Sequence, residues 1–155
     1  MKKLFLYVFL VLFFCNIGKT ESSLPECKGS DYEQWTNCQG TETWENGREY
    51  IGEFKDGKRH GQGIMTHPNG AKYNGQWKNG FPNGKGIETW PEGTKYVGEF
   101  KDGKKIGYGQ GSLMYPDGSK FVGEFKNHLM DGLGVFTKSN GEIIKGIWKD
   151  GKLQQ

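Results

Sequence analysis

The chain has 155 residues, enough for one ordinary domain, and it is rich in glycine (26 residues) and in aromatic residues (14%). Its mean hydropathy of −0.76 indicates too few aliphatic residues for a thick two-layer core. Its formal charge of +3 depends on Lys2, Lys3 and Lys19, and without these the chain holds 18 basic and 18 acidic residues. A processed chain therefore lacks the positive surplus that drives nucleic-acid binding, so nucleic acid is excluded as a partner.

The N-terminus has the pattern of a secretory signal peptide. The basic start "MKK" precedes the apolar run "LFLYVFLVLFFC", which ends at Cys15 and is too short to span a bilayer comfortably. We predict a signal-peptide helix in residues 1–20 with cleavage between Gly18 and Ser23, and hence an extracytoplasmic protein, periplasmic or secreted. The alternative is a membrane anchor through an uncleaved signal segment.

The cysteine count agrees with export. Cleavage would remove Cys15 and leave Cys27 and Cys38, an even pair. In an oxidising compartment these two can form a disulfide across ten intervening residues. No CxxC motif is present and the three histidines do not cluster near the pair, so the sequence favours a structural bridge and predicts no metal site and no cofactor.

The rest of the chain repeats itself with periods of 23, 23, 25 and 23 residues. Residues 21–34 form a cap or linker, and the array covers 35–155. A half unit begins the array and a partial unit ends it. The successive segments are 35–49, 50–72, 73–95, 96–120, 121–143 and 144–155.

Each unit is predicted to be a β-hairpin. The stretch "Y-x-G-x-[FW]-K" alternates with period two, and a turn dipeptide such as Asp56-Gly57 or Asn79-Gly80 follows it. A second strand opens with "G-x-G" and ends at a second turn such as Asn69-Gly70. The predicted fold is all-β, a meander of consecutive antiparallel hairpins. We expect the rings of each unit to pack over the glycines of the next strand, and Ile64, Ile87 and Val135 to form a second, smaller apolar strip.

Three sets of residues recur in columns and are candidates for function. Glu53, Glu99 and Glu124 are expected on a solvated face, paired with nearby lysines. A ladder of rings before the second turn could bind a sugar or another flat ligand, although rings that merely cover the turn are the simpler interpretation. That candidate ladder is Trp44, His67, Trp90 and Tyr115. The repeat aromatic face, structural and a candidate binding surface, is Tyr50, Phe54, Tyr73, Trp77, Tyr96, Phe100, Phe121, Phe125 and Trp148.

The stretches "YIGEFKDGKRHGQG", "YNGQWKNGFPNGKG" and "FVGEFKNHLMDGLG" resemble MORN (membrane occupation and recognition nexus) repeats. The resemblance covers about residues 35–152. It implies an elongated, single-layer, twisted antiparallel sheet with one hairpin per unit, and a non-catalytic role. The histidine of the family pattern occurs only as His60, and its column continues as Asn83, Tyr108 and Asp131, so we predict no catalytic residue.

We therefore expect a non-catalytic, exported scaffold or protein-interaction module that captures a protein partner or associates with itself. The alternative is a module that uses the aromatic face to bind membrane lipid or carbohydrate. No constellation of an enzyme is present, and no small-molecule substrate is evident.

Overall fold

The structure, a computed structural model, describes residues 23–102 and 104–154, with the backbone alone for 104–108. The predicted signal-peptide helix lies outside the described residues. In the described part, no helix has the length and apolar character needed to cross a membrane.

The described chain forms one open antiparallel sheet of 11 strands, in which each strand pairs with the next along the chain. A 3₁₀ turn at Tyr32–Gln34 precedes the sheet. The strands are β1 (Cys38–Thr43), β2 (Glu49–Lys55), β3 (Lys58–Thr66), β4 (Lys72–Lys78), β5 (Phe81–Thr89), β6 (Lys95–Lys101), β7 (Lys104–Met114), β8 (Lys120–Lys126), β9 (Leu129–Thr137), β10 (Ile143–Lys149) and β11 (Lys152–Leu153). The predicted all-β meander is confirmed.

The tight turns have the backbone that Asp-Gly and Asn-Gly dipeptides favour. Asp56 and Gly57 have φ angles of 51° and 68°, both in the left-handed region that a primed two-residue turn requires. Asn127 and His128, which occupy the same positions in the fourth unit, have φ angles of 49° and 67°. The turn geometry is therefore retained even where histidine replaces glycine.

The aromatic face is built by rings that lie on glycine, as predicted. A Cβ added to Gly63 would lie 2.4 Å from Cε2 of Tyr50, and one added to Gly86 would lie 2.6 Å from Cε2 of Tyr73. The rings also contact one another edge to face, with centroids 4.7–5.4 Å apart. This unbroken chain runs through Trp35, Phe54, Tyr50, Trp77, Tyr73, Phe100, Tyr96, Phe125, Phe121 and Trp148.

A bulge at the first glycine of "G-x-G" recurs in the second strand of the units. Gly61, Gly84 and Gly132 have φ angles of 57°, 95° and 115°, and the strand register shifts beside each of them. The polar side chain on the neighbouring strand lies against the bulge. Gln76 Oε1 accepts a hydrogen bond from Lys85 N at 2.8 Å, and Glu124 Oε2 accepts one from Leu133 N at 3.4 Å.

The bulge gives the glutamate column a role that the sequence did not predict. Glu53 and Glu124 lie directly against the bulged glycine opposite them, as the amide of Gln76 does in its unit. The Glu124 carboxylate also accepts from the Gln110 amide at 3.5 Å, and the expected pairing of this column with lysines remains a prediction.

The opposite face of the sheet, called the back face here, carries a row of residues in register across ten strands, and six of the ten are aliphatic. The register pairs Ile51 with Ile64, Ile87 with Val97, and Val122 with Val135, which confirms the predicted second apolar strip. The complete back-face row is Thr41, Ile51, Ile64, Asn74, Ile87, Val97, Ser112, Val122, Val135 and Lys145.

A disulfide-linked segment covers the N-terminal edge of the sheet. Cys27 and Cys38 form the predicted bridge, with Cα atoms 4.9 Å apart. Gln39 N donates to Pro25 O and Cys27 N donates to Gln39 O, each at 2.8 Å, so the covering segment runs parallel to β1. The segment therefore pairs with both backbone groups of Gln39, near the start of the edge strand β1.

Candidate functional site

The rings of the predicted aromatic face form the core of the protein. Tyr50, Phe54 and Phe121 are at most 1% exposed, and the other six predicted rings are 3–8% exposed. Burial raises the pKa values of Tyr50, Tyr73 and Tyr96 well above the usual range of a tyrosine. These rings have little surface left for a protein partner in the folded state, although Tyr73, Trp77 and Phe100 line a cavity described below.

The four residues of the candidate ladder lie at equivalent positions, at the start of four of the five longer turns, and Lys138 begins the fifth. The backbone N–H of each donates to the residue four positions later, at 2.8–3.0 Å. Trp44 and Trp90 pack against the aromatic core, and Tyr115 contacts Phe136 with ring centroids 6.4 Å apart. The prediction that this ladder binds a flat ligand remains a prediction.

Two arginines converge on the first rung of the ladder. The guanidinium carbons of Arg48 and Arg59 lie 5.1 and 5.3 Å from the Trp44 ring centroid, and that of Arg59 lies 5.3 Å from the Trp77 ring centroid. Nη2 of Arg59 donates a hydrogen bond to the carbonyl oxygen of Gly80 at 3.0 Å, so this side chain extends across the aromatic face.

Glu42 belongs to the same charged cluster. Partial burial raises the pKa of the Glu42 carboxyl group, and the nearby Arg59 and Arg48 oppose that rise. Burial likewise lowers the pKa of Arg59. Moving charged groups out of water is costly, so the attraction between Glu42 and the two arginines offsets part of the cost of burying them.

A half-enclosed cavity of about 260 Å³ lies beside this cluster. Its walls are Arg48, Arg59, Met65, His67, Tyr73, Trp77, Gly80, Phe81, Pro82, Glu88 and Phe100. Phe81 is 55% exposed and forms the rim, whereas Glu88 is only 7% exposed. Apolar walls with a few charged groups are typical of small-ligand sites.

A shallower depression of about 330 Å³ contains His60, the residue of the family pattern that first suggests chemistry. His60 pairs in register with Glu53, and both side chains line this depression together with Lys78. The Glu53 carboxylate packs against the bulged Gly61. Among the described residues, no group of three or more His, Cys, Asp or Glu side chains is placed to hold a metal ion.

Sequence reasoning did not identify the arginine cluster or the cavity. The signal that could have found them is departure from the repeat. Most positions in the array take similar residues in every unit, but Arg48 and Arg59 occupy positions that hold small or apolar residues in most other units.

The fold defines a repeat protein with one open antiparallel sheet and an aromatic core. The MORN repeat family matches residues 50–72, 73–95, 96–120 and 121–143. The chain belongs to the MORN repeat family.

Other comparisons add less. No curated protein is significantly similar to this chain. One similar solved structure is the SAS-4 (dCPAP) TCP domain of Drosophila melanogaster in complex with a proline-rich motif of Ana2 (dSTIL), at 16% identity and a TM-score of 0.46. The similar region covers 72% of this chain and 60% of that one, so this chain spans less than two thirds of its length.

Proposed function

We propose that this protein is a non-catalytic, exported scaffold that binds a protein partner or a second copy of itself through its back face. The observation that carries the proposal is that the two faces of the sheet differ in burial. The rings of the aromatic face are buried in the protein's own core, whereas Ile51 and Ile64 on the back face are 42% and 39% exposed. MORN repeats are generally interaction modules, which supports a scaffold.

The C-terminal part of the back face adds to this apolar surface. Leu133 and Ile147 pair in register on the same face and are 62% and 59% exposed. Exposed apolar residues grouped on one face commonly mark a contact surface. The back-face row continues between them and the exposed isoleucines of β2 and β3.

A charge inserted into the row tests this proposal. Ile64→Lys should abolish self-association in sedimentation velocity, or crosslinked capture of a partner from the extracytoplasmic fraction, without unfolding the sheet. Ser139→Lys is the matched control, because it adds the same charge at an exposed turn residue that lies outside the row. A wild-type protein that stays monomeric and captures nothing, or equal capture by both variants, would contradict the proposal.

Membrane binding is the alternative function, and one observation favours it. A row that includes Lys72, Lys95 and Lys120 flanks the aliphatic row on the back face, where lysines could contact lipid headgroups. Co-sedimentation with neutral and anionic vesicles distinguishes the two functions. Binding of anionic vesicles that is lost at high salt would favour lipid, and absence of binding to both kinds would remove it.

Export is the remaining part of the proposal, and the disulfide between Cys27 and Cys38 supports it, because such bridges persist in oxidising compartments. The intact mass of the protein isolated from its native compartment tests export directly, since it reports cleavage near residues 18–23 and oxidation together. Retention of residues 1–20 would instead indicate the membrane-anchored alternative, and free thiols would contradict export to an oxidising compartment.

A further inference from the structure

We propose that the cavity beside Arg48 and Arg59 is a binding site for a small, flat anion, an aromatic ring that carries a carboxylate or a phosphate. This site lies on the aromatic face, away from the back-face row, so the proposal does not depend on the scaffold function. Two residues of the charged cluster, Arg48 and Arg59, differ from the residues at the equivalent positions of other units.

The first departure is Arg48. Its carbonyl accepts the hydrogen bond from Trp44 N that closes a longer turn. The residues with the same role in the later units are Ala71, Thr94, Ser119 and Glu142. The turn therefore does not require arginine. The Nε of Arg48 is buried and has no hydrogen-bond partner among the described residues, so no bond at this atom accounts for the arginine.

The second departure is Arg59, which pairs in register with the core residue Phe54. The partners of the equivalent core residues Trp77, Phe125 and Trp148 are Pro82, Met130 and Leu153. An apolar side chain thus fills this position in three other units. Arg59 instead places a cation over Trp44, Tyr50 and Trp77.

Both departures converge on one cavity. Arg48 and Arg59 are far apart in their hairpin, yet both line the cavity of about 260 Å³ and both lie against Trp44. Guanidinium groups bind carboxylate and phosphate oxygens through paired N–H donors. The remaining walls include the rings of Tyr73, Trp77 and Phe100, which can hold a flat apolar body.

The charges fix how the ligand lies. Glu42 interacts with both arginines and supplies one negative charge against their two positive charges. Glu88 is on β5, two strands beyond the strand of Arg59, and makes that side of the cavity negative. The anionic group should therefore point towards Arg48 and Arg59. The uncharged ring should lie between Trp77 and the exposed rim residue Phe81.

Indole-3-acetate and its uncharged isostere indole-3-acetamide are suitable probes, used with the oxidised protein in calorimetry and in titrations of its amide and indole N–H resonances. We expect the acid to bind at least 10-fold more tightly than the amide and to shift the indole signals of Trp44 and Trp77. Phenyl phosphate compared with phenylacetate shows which anionic group the arginines prefer.

Arg59→Met is the variant that removes the site, since Met130 fills the equivalent position in the fourth unit. It should fold and should lose at least 10-fold in affinity for the acid, so that acid and amide bind alike. Lys58→Met is the matched control, because it removes the same charge from an adjacent, exposed position. It should leave the affinity unchanged.

Three outcomes would overturn the proposal: equal binding of acid and amide by the wild type, no shift of the Trp44 and Trp77 signals, or an equal loss of affinity in Arg59→Met and Lys58→Met. Arg48→Ala provides a second test on a different element, with Ala71 as its precedent. If neither arginine variant folds, the comparison of acid and amide with the wild type still decides.

Discussion

Individual glycines in this protein are required for two different physical reasons. Gly63 has an ordinary extended backbone, but a Cβ there would overlap the buried ring of Tyr50. Gly70 has open space around it, but its φ of 88° is one that side chains rarely adopt. The first kind of glycine protects packing and the second protects a turn.

These two reasons predict different costs of the same substitution. Gly63→Ala should lower the free energy of unfolding by about 3 kcal/mol or more, because Tyr50 is fully buried and cannot move aside. Gly70→Ala should cost only about 1 kcal/mol, since only the left-handed backbone opposes it. Denaturant titration of both variants measures the difference, and a larger loss in Gly70→Ala would refute this account of the aromatic face.

The buried tyrosines predict a loss of stability at high pH. Their folded pKa values are raised above the usual value of about 10, so the folded state holds protons that the unfolded chain releases. Below pH 10 the buried tyrosines are protonated in both states, so their full contribution to stability is present. Above pH 10 each such tyrosine removes about 1.4 kcal/mol of stability per pH unit.

Tyr96→Phe tests this argument, because Phe121 occupies the same column in the next unit. The variant loses the hydrogen bond from the Tyr96 hydroxyl to Glu99 O, 3.3 Å long, and should be about 1 kcal/mol less stable at pH 7. Above pH 10 the stability of the variant should fall less steeply than that of the wild type. The difference in slope should correspond to one proton, about 1.4 kcal/mol per pH unit. If the free energies of unfolding of variant and wild type change in parallel from pH 8 to 11.5, the pKa of Tyr96 is not raised.

At the scale of the element, the hairpins could be predicted from the sequence and their bulges could not. Alternation and the Asp-Gly and Asn-Gly dipeptides are local signals, so they locate strands and tight turns directly. The bulges at Gly61, Gly84 and Gly132 depend on how a neighbouring side chain meets the opposite strand. The sequence shows a glycine at each of these positions but not the partner that makes it necessary.

Removal of the disulfide should destabilise only the N-terminal edge of the sheet. The bridge closes a loop of ten residues, which corresponds to about 3 kcal/mol in loop-closure estimates. Replacing Cys27 with Ser and Cys38 with Ala should greatly increase amide hydrogen exchange in residues 25–43. Exchange in β8–β10 should not change, because strands in a repeat array contact mainly their neighbours. Uniform destabilisation along the chain would contradict this locality.

At the scale of the whole molecule, the chain of rings makes neighbouring units interchangeable. Each unit contributes one large ring over a glycine and one ring that meets the next unit edge to face. Stability should therefore behave as a sum over units and their interfaces.

Deletion of residues 96–120 tests this additivity, because it removes one whole unit and joins Lys95 to Phe121 in register. The shortened protein should fold to a β-sheet spectrum, and its denaturant m-value should fall by roughly a fifth with the surface that unfolding exposes. Deletion of residues 96–107 is the control, since it removes half a unit, reverses the strand direction and should not fold. Failure of the whole-unit deletion to fold would argue against independent units.

The candidate site could be predicted less well than the fold, because its residues come together only in the folded sheet. The repeat identifies Arg48 and Arg59 as exceptions, but only the curvature and register of the sheet place both against Trp44. The aromatic columns were found because they obey the repeat. The cavity was missed because its charged walls depart from it.

The covered edge at β1 also makes the protein's solubility depend on oxidation. With the bridge intact, segment 25–27 pairs with the backbone N–H and carbonyl of Gln39, through which β1 could otherwise pair with another chain. A reduced chain can release that segment and present a bare strand to identical molecules, so polymerisation becomes a competing fate. Oxidation of Cys27 and Cys38 would then keep the protein dispersed in solution, as well as reinforcing the fold.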